Sequence, residues 1–463
     1  MAVTDLAPGQ HVDGFIVGRC VHEGAMGRLF EVTRADTAFP MLMKVPRMGA
    51  GDSAELMLAF ETEAMILPRL KGPYVPRFVA AGDVTSVPYL VTERVAGESL
   101  DKRLGAARPA DEVARIGAAV ADALHSVHAQ DVVHLDVKPD NVVLRPDGHA
   151  VLVDFALAHH RHLPDLVSEE RRYAAGSAPY ISPEQVRGVR TDARSDLFSL
   201  GVVLYELATG ALPFGTPATF AGLRDRLWMD PAPPRVARAD LPPWLQEVIL
   251  RCLEPDAQRR YQSAAHLAFD LRHPGQVVLT PRSERKERAG VLAQAGRWWR
   301  ARGLSVLPGG AKEEPHAAPV IMVAVDTMHP DDPRQPELQR ATRQILSLSD
   351  EFRLICVSVV TAGLGLPDPR AGDVQVEHRI RLHHWIGPLA IEPERVSLHV
   401  LEAPDAGAAL VEFAARNNVD LIVLGAPAPD ERTLAWWRSV ASSVTANAPC
   451  SVHVVRRSGE PAR

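Results

Sequence analysis

Between residues 11 and 95 the apolar positions come in short runs, FIVGRC, RLFEV, PMLMKV and PYLVTERV, separated by Gly, Pro and charged residues. Short apolar runs bounded by such breakers predict strands. Further on the spacing lengthens. DEVARIGAAVADALHSVHAQ repeats its apolar residues every three to four positions, which predicts an amphipathic helix. Strands first and helices later predict an α+β domain over residues 11–273.

From residue 319 the two periods alternate. VIMVAV, FRLICVSVV, RVSLHVLEA, DLIVLGAP and CSVHVVRR read as strands. PELQRATRQILSLSDE, VEHRIRLHHWIGPLA, GAALVEFAARNNV and TLAWWRSVASSVTANA read as the helices between them. The order βαβαβαβαβ, with strands apolar on both faces, predicts an α/β doubly wound, mainly parallel five-stranded sheet over residues 319–457. Residues 274–318 carry neither pattern. Arg282, Arg285, Lys286, Arg288, Arg297, Arg300 and Arg302 stand there against Glu284 and Glu287, so this is a basic linker. Trp298 and Trp299 within it suit either weak contact with a membrane surface or docking on a neighbouring domain.

A chain of 463 residues exceeds one core, so the multidomain division is expected. A net charge of −6 gives no sign of a nucleic-acid binder. Cys20, Cys252, Cys356 and Cys450 form no CxxC pair, which argues against structural zinc and suits a reducing cytoplasm. MAVTDLAPGQ has neither the basic nor the apolar part of a signal peptide, and no stretch approaches the roughly 20 apolar residues of a transmembrane segment. The expectation is a cytoplasmic protein.

HLDVKPDN, residues 134–141, packs acid, lysine and amide between two apolar runs. A polar turn accounts for Pro139-Asp140-Asn141, but not for Asp136 two places before Lys138. The wider setting decides. HEGAMG lies between two strand-like runs, Lys44 follows in PMLMK, Glu63 falls in FETEAMIL, and Asp154 ends AVLVDFALA. GSAPYISPEQ and SDLFSLGVVLYELATG come next. Each motif alone is weak. In this order and at this spacing they resemble the eukaryotic-type Ser/Thr protein kinases, especially the bacterial branch with its SPEQ and RYQSA phrases.

The resemblance implies a bilobal protein kinase fold using ATP and Mg²⁺, a polyanion to be held, neutralised and aligned. It implies that Lys44 holds the α- and β-phosphates and is oriented by Glu63, and that Asn141 and Asp154 hold Mg²⁺. Asp136 would position the attacking hydroxyl and receive its proton, and Lys138 would steady the γ-phosphate. Gly24 and Gly27 belong to the phosphate loop, Leu29, Leu42 and Val143 to the walls around adenine, and Glu93, Arg94 and Val95 to the hinge. Gly176, Ser177, Pro183 and Glu184 resemble the peptide-docking segment, with Arg260 as the buried partner of Glu184. Asp196 and Gly201 match the helix that supports the catalytic loop.

The sequence departs from the family pattern at several places. His22 replaces the first glycine of the phosphate loop, Leu42 an alanine and Val143 a leucine. Ala156 replaces the glycine after Asp154-Phe155 and loses the freedom to adopt positive φ. Leu135 replaces the arginine that pairs with a phosphorylated activation segment, so segment phosphorylation should matter less. None of these changes removes a catalytic group.

VIMVAVD, closed by Asp326, and DLIVLGAP resemble the universal stress protein family. ATP-binding members carry G-x-x-G-x₉-G-[ST] after the fourth strand. Here Gly425 is followed by Ala428 and Arg438 at the later glycine positions and then by Ser439. The expectation is a domain that does not bind ATP and serves sensing or dimerisation, its last strand being an edge for pairing with a second copy. The whole reads as a Ser/Thr protein kinase acting on protein substrates and on itself. The rivals are a pseudokinase scaffold and a small-molecule kinase, and the peptide-docking segment counts against the latter.

Overall fold

The computed structural model describes residues 6–24, 27–47, 54–82, 87–170, 175–287, 318–330, 332, 334–349, 351–360, 371–426 and 440–456. The N-terminal strands are β1 (His11–Val12), β2 (Phe15–Gly24), β3 (Gly27–Thr33), β4 (Met41–Pro46), β5 (Phe78–Ala81) and β6 (Leu90–Glu93). They form one antiparallel sheet in the order β1-β2-β3-β4-β6-β5, and helix α1 (Ala54–Ile66) follows β4 in the chain. Strand alternation sorts the side chains. Phe15, Val17, Phe30, Val32, Met41, Met43, Val45 and Val91 pack into a single core. Leu42 and Lys44, one register off, project from the other face of β4.

The helical part begins after β7 (Glu98–Ser99) with α2 (Ala110–His128). Then come β8 (Val132–Val133), β9 (Val142–Leu144), β10 (Ala150–Leu152) and β11 (His159–His160). The short helices α3 (Leu166–Glu170) and α4 (Pro183–Val186) precede α5 (Arg194–Thr209), α6 (Phe220–Arg224), α7 (Pro234–Ala237), α8 (Pro243–Cys252) and α9 (Ala264–Arg272). The apolar stripes of α2, α5, α8 and α9 close a large core containing Val113, Leu124, Phe198, Leu204, Leu245 and Leu267. Gly201 permits a close approach of two helices. A Cβ there would lie 2.5 Å from Cys252 Cβ, so any side chain would push α5 off α8.

The start of the expected linker is fastened to this helical part. Glu247, 2% exposed, accepts hydrogen bonds from Thr280 N (3.0 Å), Thr280 Oγ1 (2.8 Å) and Arg282 Nη1 (3.2 Å). Gln246 Nε2 donates to the carbonyls of Arg282 and Ser283. Trp298 and Trp299 lie outside the described residues.

The C-terminal part is β12 (Val320–Ala324), α10 (Gln335–Leu346), β13 (Arg353–Val360), α11 (Ala371–Ile386), β14 (Val396–Glu402), α12 (Ala406–Arg416), β15 (Leu421–Gly425), α13 (Val440–Asn447) and β16 (Ser451–Val455). All five strands are parallel, in the order β14-β13-β12-β15-β16. Alternation along β12 feeds two cores. Ile321 and Val323 face Leu338, Leu382 and Trp385, while Val320 and Met322 face Leu410, Phe413 and Val444. The doubly wound sheet is thereby complete, with β14 and β16 at its edges. Edge strand β14 and helix α11 lie against α1 and α3 of the N-terminal part. Among the described residues no helix is long and apolar enough to cross a membrane.

Candidate active site

Lys44 reaches from β4 into the cleft between the sheet and the helices. Its Nζ lies 2.6 Å from Glu63 Oε2 on α1 and 2.9 Å from Asp154 Oδ1 at the end of β10. The other oxygen of Glu63 accepts from Phe155 N at 3.2 Å. Residues 110 positions apart in sequence thus share one charge cluster. Burial would lower the pKa of Lys44, but the charges of Asp154 and Glu63 outweigh it and raise the ammonium above its ordinary value. Burial likewise disfavours ionised Asp154, and Lys44 overcomes it and draws that carboxyl down. Glu63, more deeply desolvated, is pushed up.

The residues of the expected catalytic loop are held from beneath. Asp196, fully buried on α5, accepts from His134 N (2.9 Å) and Leu135 N (2.8 Å) and contacts His128 Nε2 (2.8 Å). These bonds hold Leu135 at φ 60°, a left-handed conformation that costs a residue with a Cβ about 1–2 kcal/mol. Gln185 Nε2 adds a hydrogen bond to the Leu135 carbonyl at 2.7 Å. Strain at this turn is over-determined by its neighbours, as at other functional loops.

Asp136 is the convergence point. Its Oδ2 accepts from Asn141 Nδ2 (2.9 Å) and faces Lys138 Nζ (2.9 Å), while Oδ1 accepts from Ser177 N (3.0 Å). Lys138 Nζ also donates to Ser177 Oγ at 2.9 Å. The expected docking segment is therefore tied to the expected catalytic loop, a link that nothing in the spacing of the two motifs announces. Asn141 spends its NH₂ on the Asp136 carbonyl and carboxylate, which turns its amide oxygen to other partners. Asp154 uses Oδ1 for Lys44 and has Oδ2 to offer. Two oxygen donors of this kind fit Mg²⁺, a hard cation.

Around the expected adenine site, Leu42 and Val143 are half-buried and Glu93 pairs with Arg145 at 3.1 Å. Gly97, just past Val95, has φ 149°, and a Cβ there would meet the Leu144 carbonyl at 2.3 Å. In the phosphate loop Gly27 is equally constrained, with φ 151° and the Val45 carbonyl 2.4 Å from a would-be Cβ. Leu29 pairs in register with Lys44. The His22 ring lies against Gly24, where a Cβ would come 2.7 Å from His22 Nε2. Ala25 and Met26 are outside the described residues.

The expected penalty at Ala156 does not arise. The left-handed residue of this turn is Asp154, at φ 64°, and Ala156 is not among the positive-φ residues. Alanine there demands no unusual backbone and is buried against the core. The Glu184–Arg260 pair forms as expected, with Nη1–Oε2 2.8 Å and Nη2–Oε1 2.9 Å. A second carboxylate anchor escaped sequence reasoning. Asp165 receives Arg190 Nε at 2.8 Å and faces His159 at 3.2 Å, and Arg190 and His159 hold its carboxyl well below the usual range despite burial. In the C-terminal part Asp326 stands just beyond β12, accepting from Met328 N and His329 N. Ala428, Arg438 and Ser439 are outside the described residues.

The protein kinase domain family matches residues 15–270, and the universal stress protein family matches residues 319–456. A probable serine/threonine-protein kinase of Corynebacterium efficiens is 34% identical over 271 residues, covering 56% of this chain and 41% of that protein. The serine/threonine-protein kinase PknB of Mycolicibacterium smegmatis is 32% identical over 285 residues, covering 59% and 45%. The solved kinase domain of Mycobacterium tuberculosis PknI is 25% identical, with a TM-score of 0.46, covering 58% of this chain and 99% of that one. The chain spans roughly two-fifths of the length of the curated relatives it matches. With more than half of its 463 residues matched, this chain belongs to the protein kinase domain family, of the bacterial Ser/Thr type, and carries a universal stress protein domain behind the kinase domain.

Proposed function

We propose that residues 11–273 are a working kinase domain that transfers the γ-phosphoryl of Mg·ATP to Ser and Thr hydroxyls of proteins, itself included. Residues 274–318 would join it to a C-terminal domain at 319–457. The observation that carries this reading is the closed set Lys44–Glu63–Asp154 above an Asp136 already oriented by Asn141, Lys138 and Ser177 N. A scaffold with no turnover has no need of both.

In this reading Lys44, held by Glu63, binds the α- and β-phosphates. Mg²⁺, held by the Asn141 amide oxygen and Asp154, would supply charge neutralisation on the phosphate oxygens. The substrate hydroxyl donates a hydrogen bond to the Asp136 carboxylate, which aligns its oxygen with the γ-phosphorus. As the new O–P bond forms, the bond from the γ-phosphorus to the bridging oxygen breaks and its electron pair leaves with ADP. The hydroxyl proton passes to Asp136. Lys138, 2.9 Å from Asp136 and from Ser177 Oγ, is placed to meet the transferring group and the incoming peptide together.

The cytoplasm suits four cysteines that are all free thiols. For the C-terminal domain, the half-exposed Val452 and Val454 on edge strand β16 offer pairing with a second copy, and hence a homodimer. The decisive experiment is incubation of the full chain with Mg²⁺ and ATP labelled at the γ-phosphate, wild type against Asp136→Asn. Loss of a positioned base should lower incorporation on the order of 10²–10⁴-fold. Equal incorporation removes Asp136 from its role, and none in either protein favours the pseudokinase.

A further inference from the structure

A buried charge cluster lies where the two domains meet, and the transfer chemistry makes no use of it. Four elements of the C-terminal domain converge there: Arg353 opens β13, Arg379 sits in α11, His399 in β14, and Arg416 ends α12. Facing them are Glu61 on α1 and the consecutive Glu169 and Glu170 on α3. Arg379 binds Glu61 through both oxygens, Nε–Oε1 2.7 Å and Nη2–Oε2 2.5 Å, and reaches Glu170 at 3.8 Å. His399 Nε2 lies 2.6 Å from Glu169 Oε2, Arg353 pairs with the same carboxylate, and Arg416 donates to the Glu169 carbonyl.

This is no screened surface pairing. Arg379 is 2% exposed, Glu169 4% and His399 0%. Burial alone would raise the pKa of Glu61, but Arg379 and His383 draw it down to about 2, so it stays charged. Removing one partner would leave the others desolvated and unmatched, a far larger penalty than for an exposed pair.

The placement ties the cluster to the active site. Glu61 and Glu63 are two positions apart on α1, and a helix turns about 100° per residue, so they point to nearly opposite sides. Glu63 grips Lys44 and Glu61 grips the C-terminal domain, with one rigid helix between them. Helix α3 lies in the activation segment and packs on α1 through Leu58, Leu166 and Val167. The same segment cannot use the usual phosphate–arginine latch, because Leu135 holds that arginine's place and is buried.

We propose that the C-terminal domain is an activating partner built into the chain: its cationic face clasps α1 and α3, holding Glu63 on Lys44 and fixing α3 in place without phosphorylation. The activating role rests on the kinase reading above; the clasp itself does not. Glu169 and Glu170 supply the anionic groups of α3, and the C-terminal domain supplies the arginines.

The test uses the full chain as wild type, Arg379→Glu, Glu61→Gln and the charge exchange Glu61→Arg/Arg379→Glu. Hydrogen–deuterium exchange is read in α1, α3, α5 and α12, and phosphorylation of a Ser/Thr peptide is read beside it. Arg379→Glu and Glu61→Gln should each speed exchange in α1 and α3 at least tenfold, leave α5 unchanged, and lower peptide phosphorylation at least tenfold. The charge exchange should recover a substantial part of both. Glu61→Gln keeps the C-terminal domain's own sequence, so it decides the matter if Arg379→Glu also speeds exchange in α12. Wild-type exchange in α1 and α3 of Glu61→Gln overturns the proposal, as does phosphorylation that is unchanged or increased while exchange accelerates. A wild type that incorporates no phosphate sinks the kinase reading, and the exchange data still decide the clasp.

Discussion

Replacing Arg260 by Met should cripple the helical lobe through one uncompensated charge. The guanidinium is almost fully buried, makes two hydrogen bonds to Glu184, and donates to the carbonyls of Glu254 (2.7 Å), Arg194 (3.0 Å) and Pro255 (3.1 Å). It also lies 5.0 Å from the centre of the Phe198 ring. Methionine keeps much of the volume and none of the charge. Glu184, 6% exposed, would then be a buried carboxylate facing an apolar side chain. Breaking a buried pair from one side costs about 3–5 kcal/mol. That is a large part of the roughly 5–15 kcal/mol that holds a domain together. At roughly 2–4 °C per kcal/mol for a domain of this size, the kinase-domain transition should fall on the order of 10 °C. Calorimetry of the full chain reads this shift. The double variant Arg260→Met/Glu184→Gln should recover part of the loss, because it removes the orphaned charge. A single variant that melts within about 1 °C of wild type would refute the reasoning, since the pair would then carry no net desolvation debt.

Two further outcomes are expected. Alanine at Ser168 and Ser177 together should lower peptide phosphorylation on the order of ten- to a hundredfold without abolishing it, the loss of one charge-assisted hydrogen bond from Lys138 to Ser177 Oγ, because Lys138 keeps Asp136; abolition by Ser168→Ala alone, at an exposed site, would contradict it. ATP titrated calorimetrically into the full chain carrying Lys44→Met should show little or no binding, and micromolar binding that disappears with Asp326→Ala would reveal a second nucleotide site in the C-terminal domain.

Much of this protein is written locally. Short apolar runs bounded by breakers set the strands, a period near 3.6 set α2, and alternation of the two patterns set the C-terminal sheet. Lys44, Asp136, Lys138, Asn141 and Asp154 were singled out by a family resemblance in motif order and spacing, and the structure brings them into one cleft. Even the partner of Glu184 could be named. The sequence could not show what Ala156 does. Whether that turn needs positive φ at residue 154 or 156 depends on how Asp154 meets Lys44, a contact across 110 residues. Nor could it show that Ser177 N binds Asp136, or that Arg190 and His159 hold Asp165. Least legible of all was the junction between the domains. Arg353, Arg379 and Arg416 look like ordinary charged residues, His399 like an ordinary polar residue of a strand, and Glu61, Glu169 and Glu170 like solvated helix faces. Only the tertiary structure brings them together out of water, where low dielectric turns weak surface charges into strong mutual constraints.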